Sequence, residues 1–179
     1  VANLGGYGFL RLSFSLLPEA TVFFAPFMMF LGVLFAIYGT AIVISFKSFK
    51  GLVLCLVFTQ TGLILLGMFS LNEQGIQGAI IKILSHSAVT AGLIICLNIL
   101  FERFKLGQEF QIRKLLNNTP RYLVLNILLL LAVIGVPGTS GFIGNFLIVL
   151  GAFEHSLIVS VFVFIILILL IIDVLYIYQ

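Results

Sequence analysis

Apolar runs recur along the whole chain, each close to the ~20 residues that cross a bilayer as a helix, with short polar breaks between them. The pattern predicts six helical segments, about residues 1–17, 21–46, 51–69, 75–101, 122–153 and 156–178. The runs are continuous and do not alternate, which argues against membrane strands. The expected architecture is an all-α, polytopic membrane protein forming a single transmembrane domain over residues 1–179. Val1 has no methionine before it and no signal-peptide pattern after it, so the first segment reads as a helix entered partway.

The fifth segment departs from the pattern. It holds VPGTSGFIGNFL, Val136 to Leu147, in the middle of an otherwise apolar stretch. Pro137 removes a backbone donor and ends a helix, and Gly138 and Gly141 are expected to loosen the chain further. Freed backbone groups cannot face lipid; they need protein or a water-filled cavity. A proline kink in one helix would also place a proline here. The segment's length, about 32 residues against the ~20 needed, favours two half-helices broken at Pro137–Gly138.

Composition strengthens the membrane reading. The chain is 62% hydrophobic and 8% charged, with a mean hydropathy of +1.31, too few charges to cover a soluble surface. The charges also sort by side. If the segments alternate, one side carries Lys47, Lys50, Arg103, Lys105, Arg113, Lys114 and Arg121, seven of the nine basic residues. The other carries Glu19, Glu73 and Glu154. The positive-inside rule makes the basic side cytoplasmic, or matrix in a mitochondrion. Basic residues confined to loops are not a nucleic-acid footprint. Cys55 and Cys96 fall inside apolar segments and read as packing residues with no metal-ligand spacing.

Ionisable groups at membrane depth are costly, so each marks a candidate function. Lys82 and His86 in the fourth segment are four apart and share one helix face, with Ser85 and Thr90 nearby. Imidazole exchanges protons near neutral pH, which suits a proton relay. The same residues also suit a hydrogen-bonded interior histidine and a snorkelling lysine. Gln60 in the third segment reads as an interhelical hydrogen-bonding residue. Asp173, near the end of the sixth, is expected at the membrane edge, solvated or facing a partner, and Arg11 as an interfacial anchor.

The strings NLGGYGFLR, LPEA, FAP, GMFSLNEQGIQGAIIKILSHSAVTAGLIICLNILFERF and GVPGTSGFIGNFLIVLGAF resemble, in order and spacing, the antiporter-like chain 4 family of respiratory complex I, the NADH-quinone oxidoreductase. The sister chains 2 and 5 and the related sodium/proton antiporter subunits fit these strings less well. The resemblance covers only the C-terminal part of that family, so the chain would be about half of an antiporter-like fold. It implies a membrane-arm module that moves protons, driven by electron transfer elsewhere. No cofactor is implied in this chain; flavin and iron–sulfur clusters belong to partner subunits. The implied partners are the other membrane subunits, a chain supplying the missing N-terminal helices, and lipid. The abundance of Phe and absence of Trp fit an organelle-encoded product of the mitochondrial inner membrane.

The family's hydrated proton axis implies roles at particular positions. The histidine of its SH motif is His86. The lysine before LGGYG is replaced by Asn3, a second histidine position by Gln60, and the acid after the break by Asn145. The usual Asp-x-Lys-Lys motif reads Ser48-Phe49-Lys50-Gly51, so Lys50 is retained as a candidate. Small hydroxyl residues that normally follow are Leu56 and Val57, and Lys82 is a gain. Three readings follow: a proton-translocating subunit, a structural subunit with a degraded path, and a free-standing cation/proton antiporter subunit. Amides at Asn3, Gln60 and Asn145 favour the second, because an amide neither takes nor gives a proton near neutrality.

Overall fold

The computed structural model describes residues 2–43, 49–104 and 120–178. Lys47, Lys105, Arg113 and Lys114 of the expected basic loops lie outside them, as do the side chains of Asn3, Lys50, Arg103 and Arg121. The described residues are helical throughout, with short turns and no strand. Helix α1 (Ala2–Gly8) continues through a π-helical stretch, Phe9–Ser13, into the short α2 (Phe14–Leu16). Leu17 alone separates it from α3 (Pro18–Val43). Then come α4 (Phe49–Phe69), α5 (Glu73–Phe104), α6 (Pro120–Ile134), α7 (Ser140–His155) and α8 (Leu157–Tyr178).

Among the described residues, three stretches are long and apolar enough to cross a membrane: Pro18–Val43, Glu73–Cys96 and Leu157–Leu175. Val53–Phe69 and Val124–Ile134 are shorter apolar helices. Their outward faces are greasy: Phe23, Phe27 and Phe30 on α3 and Leu157, Ile158 and Leu175 on α8 are all more than half exposed. In water such a surface would drive aggregation; in lipid it is the matching face.

Inside a bilayer no hydrophobic force draws one apolar helix to another, so close backbone approach between small residues does the work. Two such seams build this fold. On α3 and α4, Gly32, Ala36 and Gly39 meet Gly62 and Thr59; a methyl added to Gly62 would sit 2.6 Å from the Ala36 amide nitrogen. On α5 and α7, Gly75 meets Gly151, Gly78 meets Ile148, and Lys82 meets Gly144. That series fixes an antiparallel register. Helix α4 lies in the middle, packed on α3, α5, α7 and α8. Its Leu63, Leu66 and Phe69 join Met29, Ala79, Ile148 and Ile166 in one core, while Cys55 and Leu56 join Leu93, Leu130, Val133, Leu170 and Val174 in a second.

The break lies where Pro137–Gly138 placed it. Helix α6 stops at Ile134, α7 starts at Ser140, and five residues between them are non-helical. Gly135 has φ +82° and Gly138 φ +100°, the left-handed region where a side chain is strained. Gly135 ends α6 in the manner of a left-handed helix cap: its own amide and that of Val136 both donate to the Leu131 carbonyl, at 3.1 and 3.2 Å. Gly141 lies inside the first turn of α7, not in the unwound stretch. Its value is closeness, since a methyl there would collide with the Ala132 carbonyl.

Candidate functional site

A helix that ends inside a membrane leaves its last four carbonyls without intrahelical donors. For α6 these are Leu131 to Ile134. Leu131 is served by the Gly135 and Val136 amides just described. The next two partners come from side chains on other helices. Gln60 Nε2 of α4 donates to the Val133 carbonyl at 3.0 Å, and Asn145 Nδ2 of α7 donates to the Ile134 carbonyl at 2.9 Å. Gln60 is completely buried and Asn145 nearly so. Below the break, Thr139 folds back on the Val136 carbonyl through both its amide and its hydroxyl, at 3.0 and 2.8 Å. The amides at positions 60 and 145 are therefore the donors that hold the broken helix together. Their own oxygens, Gln60 Oε1 and Asn145 Oδ1, are buried without a hydrogen-bond partner among the described residues.

A buried lysine lies near this break. Lys82 is 2% exposed and His86 5% exposed. The position a methyl would take on Gly144 is 3.3 Å from the N, Cα and Cβ of Lys82, so the lysine's backbone rests directly on α7, one residue before Asn145. Continuing the α5–α7 register one turn sets His86 level with Ser140, the first residue of α7. Ser85 donates to the Lys82 carbonyl at 3.2 Å and Thr90 to the His86 carbonyl at 2.7 Å, so both hydroxyls are occupied by their own helix.

The structure thus brings Gln60 and Asn145 to the end of α6 and sets Lys82 against Gly144, one residue before Asn145. Asn3 and Lys50 have helical backbone in α1 and α4, and their side chains lie outside the described residues. Pro137 and Gly138 are exposed on this chain. Arg11 lies in the π-helical stretch, exposed, against an apolar groove formed with Tyr7, Leu10, Ile80, Ile83 and Leu84. Cys55 and Cys96 are buried free thiols.

Asp173 lies near the end of its span, but the expectation that it is solvated or faces a partner is corrected. It is 4% exposed, and its Oδ2 has no hydrogen-bond partner among the described residues. The reason is geometric: Ser160, Val163, Ile166, Leu170, Asp173 and Val174 form one inward stripe of α8. Asn126 on α6, likewise buried with Oδ1 unpartnered, had drawn no attention in the sequence. A 3.6-residue stripe through Ser160 was available as a signal, but almost every other α8 residue is also apolar, which hides it.

Apolar helices packed through glycine seams, one of them broken near a buried lysine, define a polytopic helical membrane protein. The chain belongs to the NADH:quinone oxidoreductase/Mrp antiporter transmembrane family, whose profile matches residues 1–171. It is 37% identical over 158 residues to the NADH-ubiquinone oxidoreductase chain 4 of Marchantia polymorpha, covering 88% of this chain and 32% of that one. It is 31% identical over 160 residues to the NADH-quinone oxidoreductase subunit M of Rhodobacter capsulatus, covering 89% and 31%. A chain of respiratory complex I from Thermus thermophilus with bound NADH superposes with a TM-score of 0.92 at 30% identity, covering 98% of this chain and 38% of that one. The chain spans about a third of the length of the curated relatives it matches.

Proposed function

We propose that the chain is a membrane-arm component of an NADH:quinone oxidoreductase and takes part in moving protons, coupled to electron transfer in other subunits. The observation that carries this reading is the buried Lys82–His86 pair level with a helix break whose free carbonyls are tied by Gln60 and Asn145. A cation and an imidazole kept from lipid on one helix face, beside unwound backbone, suit proton passage. The chain itself is a non-redox component. It carries no cofactor in this reading, and flavin and iron–sulfur clusters belong to its partners. Those partners are the other membrane subunits, together with a polypeptide supplying the helices by which the relatives exceed this chain. The exposure of Pro137 and Gly138 supports such a partner, because an unwound stretch at membrane depth needs protein or water over it. The plant relatives named chain 4 support a place in the mitochondrial inner membrane.

A second reading is a structural membrane-arm subunit that has lost conduction. Gln60 and Asn145 favour it, since each amide is committed to a backbone carbonyl and neither titrates. The test is the number of protons moved per NADH oxidised in sealed membranes containing the assembled complex, with His86→Gln beside wild type. A lower ratio supports conduction through this chain. An unchanged ratio with normal assembly supports the structural reading.

A further inference from the structure

Four buried side-chain oxygens lack a hydrogen-bond partner among the described residues: Gln60 Oε1, Asn126 Oδ1, Asn145 Oδ1 and Asp173 Oδ2. They sit on four helices, α4, α6, α7 and α8. Buried oxygens of this kind call for donors, and water is the ordinary one. Three belong to amides, which hold water but carry no proton. The fourth belongs to the single aspartate of the chain, and it is the only buried carboxyl among the described residues.

The packing places this carboxyl relative to the break. Leu170 and Val174, flanking Asp173 on α8, share one cluster with Cys55 and Leu56 of α4 and with Leu130 and Val133 of α6. Cys55 precedes Gln60 by five residues, about 7.5 Å along the axis toward the Lys50 end of α4. Asn126 precedes Val133, the partner of Gln60, by seven residues, about 10 Å along α6. Gly92 of α5 lies against Leu129 of α6, beyond Lys82 and Gly144, so α6 runs antiparallel to α5 and alongside α4. Asn126 and Asp173 are therefore displaced from Gln60 in the same direction, on the two packed helices α6 and α8.

We infer that Asp173, with Asn126 on the facing helix, is a proton-carrying residue of this chain, lying between the break and the Lys50 end of α4. The inference rests on the proton-moving reading above. Hydronium on the Lys50 side gives its proton to Asp173 Oδ2 and leaves as water. The neutral acid then gives that proton to a water on the break side, restoring the carboxylate. The amide of Asn126 orients the shared water and takes no proton. On the Lys50 side of Gln60, α4 carries the Cys55 thiol and α6 the Asn126 amide, and both helices pack on α8; Lys82 and His86 lie on α5.

The experiment uses the assembled complex in sealed membranes and reads protons moved per NADH oxidised for Asp173→Asn, Asp173→Glu, His86→Gln and the double variant of Asp173→Asn with His86→Gln. The expected result is that Asp173→Asn loses as much of the ratio as His86→Gln, the double variant loses no more, and Asp173→Glu restores it. A loss with His86→Gln but none with Asp173→Asn overturns the role of Asp173 and leaves the proton-moving reading standing. No loss with either overturns both. Where Asp173→Asn prevents assembly, the exchange of Asp173→Asn with Asn126→Asp decides, because it keeps one carboxyl and one amide in place. Recovery of the wild-type ratio supports the inference, and an assembled exchange variant with a lowered ratio overturns it.

Discussion

Asn145 reaches back across the break to donate from Nδ2 to the Ile134 carbonyl, 11 residues earlier, at 2.9 Å. The bond ties the first turns of α7 to the last residue of α6 where no backbone hydrogen bond can. Replacing Asn145 with Leu keeps roughly the same shape but leaves that carbonyl without its donor, at a cost of about 1–3 kcal/mol. Amide hydrogen exchange of residues 135–139 should quicken in the assembled complex carrying Asn145→Leu. Exchange as slow as in wild type would count against the bond.

Asn145→Asp probes the same bond with opposite chemistry. An ionised carboxylate has no proton to donate and faces the carbonyl as a second acceptor, whereas the protonated acid donates again. The deficit in thermal stability of the Asn145→Asp complex should therefore shrink as pH falls. Asn145→Leu, which has nothing to protonate, should show a pH-independent deficit. Parallel pH profiles for the two variants would refute the donor role.

Gln60→Leu should behave as a second cut in the same tie, leaving the Val133 carbonyl unpaired at about 1–3 kcal/mol. The two carbonyls are adjacent residues of one helix end, so the losses should not add; a coupling of 0.5 kcal/mol or more is expected in a double-mutant cycle. Strict additivity would mean that the two amides hold independent structures.

The glycines separate three physical demands. A methyl on Gly151 would lie 2.6 Å from both Cα and N of Gly75, so Gly151→Ala should push α5 and α7 apart and lower assembly, by about 1–3 kcal/mol. Gly138 has open space but φ +100°, so Gly138→Ala should cost backbone strain without separating helices, of order 1 kcal/mol. Gly5 is helical with nothing within 4 Å, so Gly5→Ala should be neutral or slightly stabilising. Amounts of assembled complex on native gels rank the three, and any other order would contradict this account.

Single cysteines test the expected orientation. A cysteine at Glu73, in the exposed first turn of α5, should react with an impermeant maleimide from the side opposite to one at Lys47. Reaction of both from one side would remove the charge-based topology.

The break and the inward pair were legible in the sequence for simple reasons. Pro137 and Gly138 cannot continue a helix, and Lys82 and His86 cannot face hydrocarbon, so each announces itself against an apolar background. The role of Gln60 and Asn145 was not legible as capping, because the carbonyls they serve become free only where α6 actually stops. The family resemblance implies amides in place of titratable groups at Asn3, Gln60 and Asn145; the structure shows two of these amides, Gln60 and Asn145, as donors. Asp173 was misplaced because α8 is apolar on every side, leaving no polar face to mark which side turns inward. The π-helical stretch at Phe9–Ser13 and the opening of α7 at Ser140, with Gly141 inside the helix, depend on local hydrogen-bond choices that composition does not reveal.

The joints around α7 differ greatly in slack. One residue, Ser156, links it to α8, and the Ser156 amide still donates to Ala152 at 2.9 Å, so that end is stiff. Along its length α7 is keyed to α5 by glycine on glycine. Only the five residues toward α6 can yield. A load arriving through α8 therefore drives α7 as a rod, carries Lys82 and His86 along with it, and spends its displacement at one compliant point. Lys82 rests on Gly144 of that rod, so a shove delivered along the membrane is taken up in the five-residue joint beside a buried lysine.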